Sequence, residues 1–483
     1  MNELLKYIVI NTKVNNKVIQ TRIVHPITQK KYPNRTVYVL LKKYVDDFFK
    51  IGSEPRLIGL AGLRGTGKTT LMWQIADYIY SNQREIPIYF FNVNEIQTAG
   101  YSLYQILKAF EKFVLKKSFR EFNTPFVLLF DEVHDDPDWA RTLKILYDDA
   151  KTAFIICTGS SALLLQSTED LARRMRIEKV YPFRFIEFIT AKSFFEKDKI
   201  IFPQKSLASN LKQIFFYSNS VDELYRSLLN KKEIIQEYYE EINTVFNNEE
   251  KDLVSEYIKY HNIPAFIVYK EKSLILDSMI DLFSRVIDQD IKKLGNHISV
   301  SSNKILKLLL QLALSDEINF DILSQKTGIK KTEIEGIMDL LEKAELINIL
   351  NPYGGGVTKI WRNRKVFFMS PSLRLALLSI IYRIDLPNKW FSKLYEDVVA
   401  MYLVKTLNDG IVSIAKQTKS TTPDFIIETL DKPLAIEVGI SKTTTDQFSK
   451  IDCRYGILIS NKIEDILINN NYLKLPLKWF LLI

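Results

Sequence analysis

The chain has 483 residues, 47% apolar and 25% charged, with a formal net charge of +9. At roughly 100–200 residues per domain it exceeds one ordinary core, and its composition is that of a folded globular protein, not a disordered or fibrous one. The two cysteines, Cys157 and Cys453, form neither a disulfide framework nor a zinc pattern, and no apolar run reaches the roughly 18 residues that span a bilayer, so a reducing cytoplasm and no membrane are expected, with the positive charge leaving an acidic partner such as nucleic acid open.

Residues 4–45 hold nine basic residues and no Asp or Glu. The runs YIVI, VIQTRIV and TVYVLL look β-like, so 1–55 reads as a basic, strand-rich arm entering a helix at 39–50. Its charge suits phosphates or a plain solvated surface. From 56 to 190 the pattern alternates. Apolar β-type runs at 57–61, 86–91, 126–130, 153–158 and 177–181 are separated by helical segments at 69–80, 101–117 and 138–150. Continuous apolar strands between helices predict a parallel sheet covered on both faces.

Residues 191–300 are expected to form a helical lid or linker, with helical spacing at 207–217, 221–247, 249–260 and 273–294. Three helices at 303–314, 319–327 and 331–343, then a strand pair with a turn at Gly354, Gly355 and Gly356, suggest a winged helix over 301–370. The candidate recognition helix starts with Lys330 and Lys331 but also carries Glu333, Glu335, Asp339 and Glu342, a poor match to a phosphate-lined groove. The hairpin offers Lys359, Arg362, Arg364 and Lys365 instead. Over 371–483 a helix at 392–406 precedes strands at 411–416, 423–429, 433–438 and 454–459, so this part is again α/β.

The motif that carries chemistry is Gly62-Leu63-Arg64-Gly65-Thr66-Gly67-Lys68-Thr69, followed by Thr70, between an apolar strand and an amphipathic helix. In such a P-loop the glycines let backbone N–H groups wrap phosphates, and the helix N-terminus adds positive potential. Lys68 then reaches the β- and γ-phosphates of ATP, and Thr69 holds Mg²⁺. The run FVLLF ends in Asp131-Glu132, placing an acidic pair at a strand tip. Asp131 suits the Mg²⁺ shell and Glu132 the general base that activates water. The next run ends Thr158-Gly159-Ser160-Ser161; a polar group there, with Ser160 counted among the nucleotide contacts, either senses the γ-phosphate or caps a helix. Arg173 and Arg174 are either an arginine finger or a solvated face. His134 touches the nucleotide site or caps a loop, and the four histidines form no ligand cluster.

The order of these motifs resembles a widespread prokaryotic family of AAA-type ATPases, often called archaeal ATPases. Its members join a P-loop module to a winged helix and a C-terminal domain like restriction endonucleases. The stretches that carry the likeness are GLRGTGKTTLMWQIA (62–76), LLFDEVHDDPDWARTLKILYD (128–148), TGSSALLL (158–165) and LARRMRIEKVYPFRFIEF (171–188). HNIPAF (261–266), RVIDQDI (285–291), YEDVVAMYLV (395–404) and PDFIIETLDKPLAIEV (423–438) extend it more loosely. The resemblance implies an extra strand between the P-loop strand and the acidic strand, expected at 86–91. It also implies a nuclease-like metal pair, Asp424 and Glu437, with Glu396 nearby. The lysine of that pattern is replaced by Gly439, and Lys442 stands three residues on, which weakens phosphodiester hydrolysis as a reading.

The expected fold class is therefore α/β: a P-loop NTPase parallel sheet with a helical lid, a winged helix and a restriction-endonuclease-like α/β domain. Three functions stay open: an ATP-switched nucleic-acid-associated protein, an ATP-gated Mg²⁺-dependent nuclease, and an ATP-dependent scaffold for protein partners, with self-association open in each.

Overall fold

The computed structural model describes residues 8, 12–159, 171, 173–204, 206–247, 250–292, 300–315, 318–354, 364–383, 386–407, 411–415, 422–440, 447–448 and 451–483. They divide into two compact units, Met1–Tyr181 and Pro182–Ile483.

The first unit is built on a five-stranded sheet: β1 (Leu57–Ala61), β2 (Ile88–Asn92), β3 (Phe126–Asp131), β4 (Ala153–Gly159) and β5 (Arg176–Lys179), in the order β2-β3-β4-β1-β5. Every pairing is parallel, as continuous apolar strands demand. Side chains alternate between two cores. Leu57, Leu128, Phe130 and Ile155 face one core, with Leu103, Ile106 and Leu143 from the covering helices. Ile58, Leu60, Val127, Leu129 and Ile156 face the other. The strand between the P-loop strand and the acidic strand is β4, not the 86–91 run, which forms edge strand β2. Sequence order does not set neighbour order in a crossover sheet, so the expectation failed there.

The arm also departs from expectation. VIQTRIV lies in helix α1 (Asn16–Ile23), and TVYVLL opens helix α2 (Thr36–Ile51). Both are rich in β-branched residues, but Ile19 and Ile23, and Leu41 and Val45, repeat at helical spacing and are buried. Tertiary packing overrides strand propensity here: these four side chains share the second core with Leu71, Met72 and Ile75 of α3 (Lys68–Asn82). Among the described arm residues, β contacts remain at 12–14 and in the antiparallel bridge between Val24 and Lys31, while Tyr7, Val9 and Ile10 of the YIVI run lie outside the described residues. Val14 N–H donates to Ile88 O at 2.9 Å and Phe90 N–H to Thr12 O at 2.8 Å, covering the edge of β2.

The second unit opens with helices Phe185–Lys197, Leu207–Tyr217, Val221–Leu229, Lys232–Val245 and Lys272–Arg285. Helices Ser302–Leu314, Phe320–Thr327 and Lys331–Lys343 follow, then the antiparallel pair β6 (Ile347–Leu350) and β7 (Lys365–Phe368). Gly355 and Gly356, with Lys359 and Arg362, lie outside the described residues. Helices Pro371–Tyr382 and Asn388–Thr406 lead to a mixed sheet of β8 (Val412–Ser413), β9 (Phe425–Ile427), β10 (Leu434–Gly439), β11 (Gly456–Ser460), β12 (Leu467–Asn469) and β13 (Tyr472–Pro476). Its order is β12-β13-β11-β10-β9-β8; the sequence reading stopped at β11.

Polar contacts join the segments of this unit. Arg374, 1% exposed, pairs with Asp397, 0% exposed, at 2.6 Å. Arg374 also donates to Ala313 O and Val366 O, and Asp397 accepts from Phe368 N–H. The helices before residue 250 reach the C-terminal region: Tyr455, just before β11, donates its Oη to Phe215 O at 2.9 Å, and Tyr239 Oη donates to Lys478 O of the helix Leu477–Phe480 at 2.5 Å. A buried ion pair of this kind is costly to break, because either partner alone is a bare charge in a low-dielectric core.

Candidate nucleotide site

The turn from β1 into α3 is fixed by backbone conformations that only glycine adopts easily. Gly65 and Gly67 have φ of +83° and +89°. A Cβ on Gly62 would stand 2.3 Å from Val180 O, so the loop approaches β5 closely only without a side chain. Thr66 Oγ1 donates back to Leu63 O at 2.8 Å. Lys68, 6% exposed, begins α3 and donates its ammonium to Gly62 O at 2.8 Å and Leu63 O at 3.2 Å. The cation is thus held over its own loop, where the first N–H groups of α3, including those of Thr69 and Thr70, have no partner within the helix.

One contact closes the loop onto the acidic strand. Thr69 Oγ1 donates to Asp131 Oδ1 at 2.9 Å. The same oxygen accepts from Thr158 Oγ1 at 2.5 Å, and Thr158 Oγ1 accepts from Glu132 N–H at 3.0 Å. Parallel register explains the meeting: β3 and β4 run side by side with Phe130 opposite Cys157, so their next residues share one sheet end. Of the polar groups read at the β4 tip, Thr158 is engaged in this way, and Ser160 and Ser161 lie outside the described residues.

Glu132 turns away from the strand with φ +55°, a conformation that costs a non-glycine residue energy and collects at functional sites. Burial pushes its carboxyl above the ordinary value, Lys68 and Arg64 pull it back, and Asp131 and Asp135 push it up. His134, its side chain 2% exposed, places Nε2 3.2 Å from Glu132 Oε2. The turn that carries both is braced from the helix Val93–Thr98 after β2: Asn94 Nδ2 donates to Asp135 Oδ2 at 2.8 Å and Gln97 Nε2 to Asp136 Oδ2 at 2.9 Å. Buried Cys157, its thiol pushed up to about 12 by desolvation, is a core residue. Arg174 is tied to Asp148 at 2.8 Å, and Arg173 is exposed.

Arg35 was not singled out from the sequence. Its guanidinium donates to Thr66 O at 2.7 Å and Tyr181 O at 2.9 Å, bracing the phosphate loop against the chain after β5. Nothing local marks it, because its partners lie 31 and 146 residues away. Other arm groups are likewise spent on the core: Lys31 pairs with Asp77 at 2.8 Å, and Lys42 stands over the Tyr78 ring.

The expected C-terminal metal pair is placed differently. Asp424 precedes β9 and Glu437 lies on β10, its antiparallel neighbour. Asp424 Oδ2 accepts from Val438 N–H at 2.9 Å, and Glu437 Oε1 accepts from Gln447 Nε2 at 3.3 Å. Lys365 puts its ammonium 3.4 Å from Glu396 and 3.7 Å from Asp424. Among the described residues no group of three His, Cys, Asp or Glu side chains is arranged to hold a metal ion. Lys442 lies outside the described residues. Lys365, read from sequence as a phosphate contact of the hairpin, faces carboxylates instead.

A parallel sheet with a glycine-wrapped phosphate loop on one strand and a hydroxyl-bonded acidic tip on another defines a P-loop nucleotide-binding α/β domain. Residues 54–189 match the family model of an AAA domain, and residues 251–383 match a domain of unknown function. Residues 54–189 are thus similar to AAA domains, a class that binds nucleotide, typically with Mg²⁺. An uncharacterized protein of Methanocaldococcus jannaschii is 28% identical over 481 residues, 98% of this chain and 94% of that protein. Among solved structures, the Aeropyrum pernix ORC1 protein in complex with DNA is 10% identical, with a TM-score of 0.30 over 78% of this chain and 96% of that one. The Thermotoga maritima RuvB Holliday junction branch migration motor is 15% identical, with a TM-score of 0.30 over 72% and 96%. At that distance neither carries a functional argument. Among the described residues no helix is long and apolar enough to cross a membrane.

Proposed function

We propose that the chain hydrolyses ATP with Mg²⁺ at the loop Gly62–Thr69 and uses the cycle to switch its association with nucleic acid. The observation that supports hydrolysis best is the 2.9 Å contact of Thr69 with Asp131. It brings a phosphate-loop hydroxyl and a strand-tip carboxylate to one point, the hard oxygen pair that Mg²⁺ takes beside a nucleotide. Bound there, Mg²⁺ would neutralise charge on the phosphates.

The chain's own groups do the rest. Backbone N–H groups from Gly62 to Thr70 cradle the phosphates, and Lys68 leaves its carbonyl partners for the β- and γ-oxygens. Asp131 and Thr69 hold the metal. Glu132 takes the proton of the attacking water, a role helped by a carboxyl raised by burial. Thr158, bonded to both acidic residues, keeps the strand tips in step.

The nucleic-acid part rests on the net charge of +9. It is tested by ATP turnover with and without DNA or RNA, and by nucleic-acid binding in ATP and in ADP across salt concentrations. Binding with a steep salt dependence that differs between the two nucleotides supports the switch; no binding in either state overturns it in favour of a protein-directed scaffold.

A second reading, an ATP-gated nuclease in a restriction-endonuclease-like domain beside a winged helix, draws on the adjacency of Asp424, just before β9, and Glu437 on the paired strand β10. Cutting that needs Mg²⁺ and vanishes in both Asp424→Ala and Glu437→Ala would support it. The ammonium of Lys365 between Glu396 and Asp424 argues against it.

A further inference from the structure

Among the groups that hydrolysis as proposed above leaves unused, one lies against the reacting machinery. His134 is three residues past Asp131, buried, with its Nε2 close to the carboxylate that would activate water. A buried imidazole usually serves the packing of its own turn. This turn is already fixed by other bonds: Asp136 accepts from Leu103 N–H at 2.5 Å and from Gln97, and Asp135 accepts from Asn94. Beside those bonds the ring makes a contact of its own, with Nε2 3.2 Å from the Glu132 carboxylate.

We infer that His134 is the positioning residue of the catalytic base: its Nε2 holds one oxygen of Glu132 so that the other is aimed at the water attacking ATP. The inference rests on the ATPase reading above. Glu132 needs such a partner. It sits in a left-handed turn, φ +55°, past the end of the strand, so the sheet register does not fix its side chain. A misaimed base loses its advantage steeply, since general-base catalysis requires hydrogen-bond reach to the transferred proton. Nucleophile, base and orienting group in series form a recurring arrangement in which the third member fixes the second. Contacts of this kind are commonly long before the substrate arrives and tighten in the complex.

The test measures ATP turnover and, separately, equilibrium binding of ATP–Mg²⁺, for the full chain carrying His134→Phe, His134→Gln, Glu132→Gln, and Glu132→Gln combined with His134→Phe. Phenylalanine keeps the buried ring and removes the donor; glutamine returns a donor. The expected result is a kcat for His134→Phe lower by about 10- to 100-fold, the loss typical when a hydrogen-bonding partner that orients a metal ligand is removed. KM and ATP affinity should stay unchanged, and His134→Gln should regain most of the loss. In the Glu132→Gln background His134→Phe should cost nothing more, because there is no base left to aim. Wild-type kcat in His134→Phe, a raised kcat that would make the ring a brake, or an equal loss in both backgrounds overturns the inference. If wild-type protein binds ATP–Mg²⁺ but does not turn it over, the hydrolysis reading and this one fall together. Active wild type with an indifferent His134 sinks this one alone.

Discussion

The sequence placed an acidic pair in each unit, Asp131 with Glu132 and Asp424 with Glu437, with Asp131, Asp424 and Glu437 as the expected Mg²⁺ ligands and Glu132 as the base, and the surroundings of the two pairs differ in kind. Asp131 meets two hydroxyls, Thr69 and Thr158, beside a loop of backbone N–H groups. Asp424 and its neighbour Glu396 meet an ammonium, Lys365, and Asp424 also takes a backbone N–H. A hydroxyl gives way to a metal and can itself become a ligand. A lysine already supplies the positive charge that a divalent ion would bring, at the same oxygens. The lesson is that a strand-tip carboxylate becomes a metal site through what claims its oxygens, not through its place on the strand.

The comparison breaks most visibly on turnover. Glu132→Gln should lower kcat for ATP by about 10²- to 10⁴-fold while ATP affinity is kept; Glu437→Gln should leave kcat unchanged. Equal effects in a steady-state assay would erase the distinction. The next effect concerns an acid wholly committed to structure. Asp397→Ala leaves the Arg374 guanidinium alone in the core and should destabilise the second unit by about 3–5 kcal/mol, read as the loss of one transition in chemical denaturation.

Smaller is the expected cost of Arg35→Ala, about 1.5–3 kcal/mol for two charge-assisted hydrogen bonds to carbonyls. Because one of those carbonyls belongs to the phosphate loop, calorimetry should show weaker ATP binding as well as a lower melting temperature; an unchanged ATP affinity would confine Arg35 to packing. The smallest effect is acidic. Burial pushes the Glu256 carboxyl up, but hydrogen bonds from His261 and Lys192 outweigh it and hold the group below its ordinary 4.5. A depressed carboxyl adds stability above the unfolded value and loses it as pH falls through the lower folded value. Thermal melts below pH 4.5 should therefore fall more steeply for wild type than for Glu256→Gln.

How much of this was legible in sequence depends on distance along the chain. From Leu57 to Asn82 the strand, the glycine loop and the helix are contiguous, and the φ values at Gly65 and Gly67 follow from residue type, so the phosphate loop could be read directly. The apolar run ending in Asp131-Glu132 was equally plain, and so were the three helices before the hairpin. The β-branched arm was misread because composition suggests strands, whereas burial of Ile19 and Ile23 against α3 selects helices. The strands after 460 were missed because they are short and one is exposed.

The sequence by itself determined that a glycine-rich strand-to-helix loop of P-loop pattern and an acidic strand exist, since each is written in neighbouring residues whose backbone preferences are local. Only the tertiary structure decided that β4 stands between them, that Thr158 joins them, that Arg35 braces the loop and that Lys365 faces Asp424. Those pairings link residues tens to more than a hundred positions apart. They are set by sheet order and core packing, which no spacing along the chain encodes.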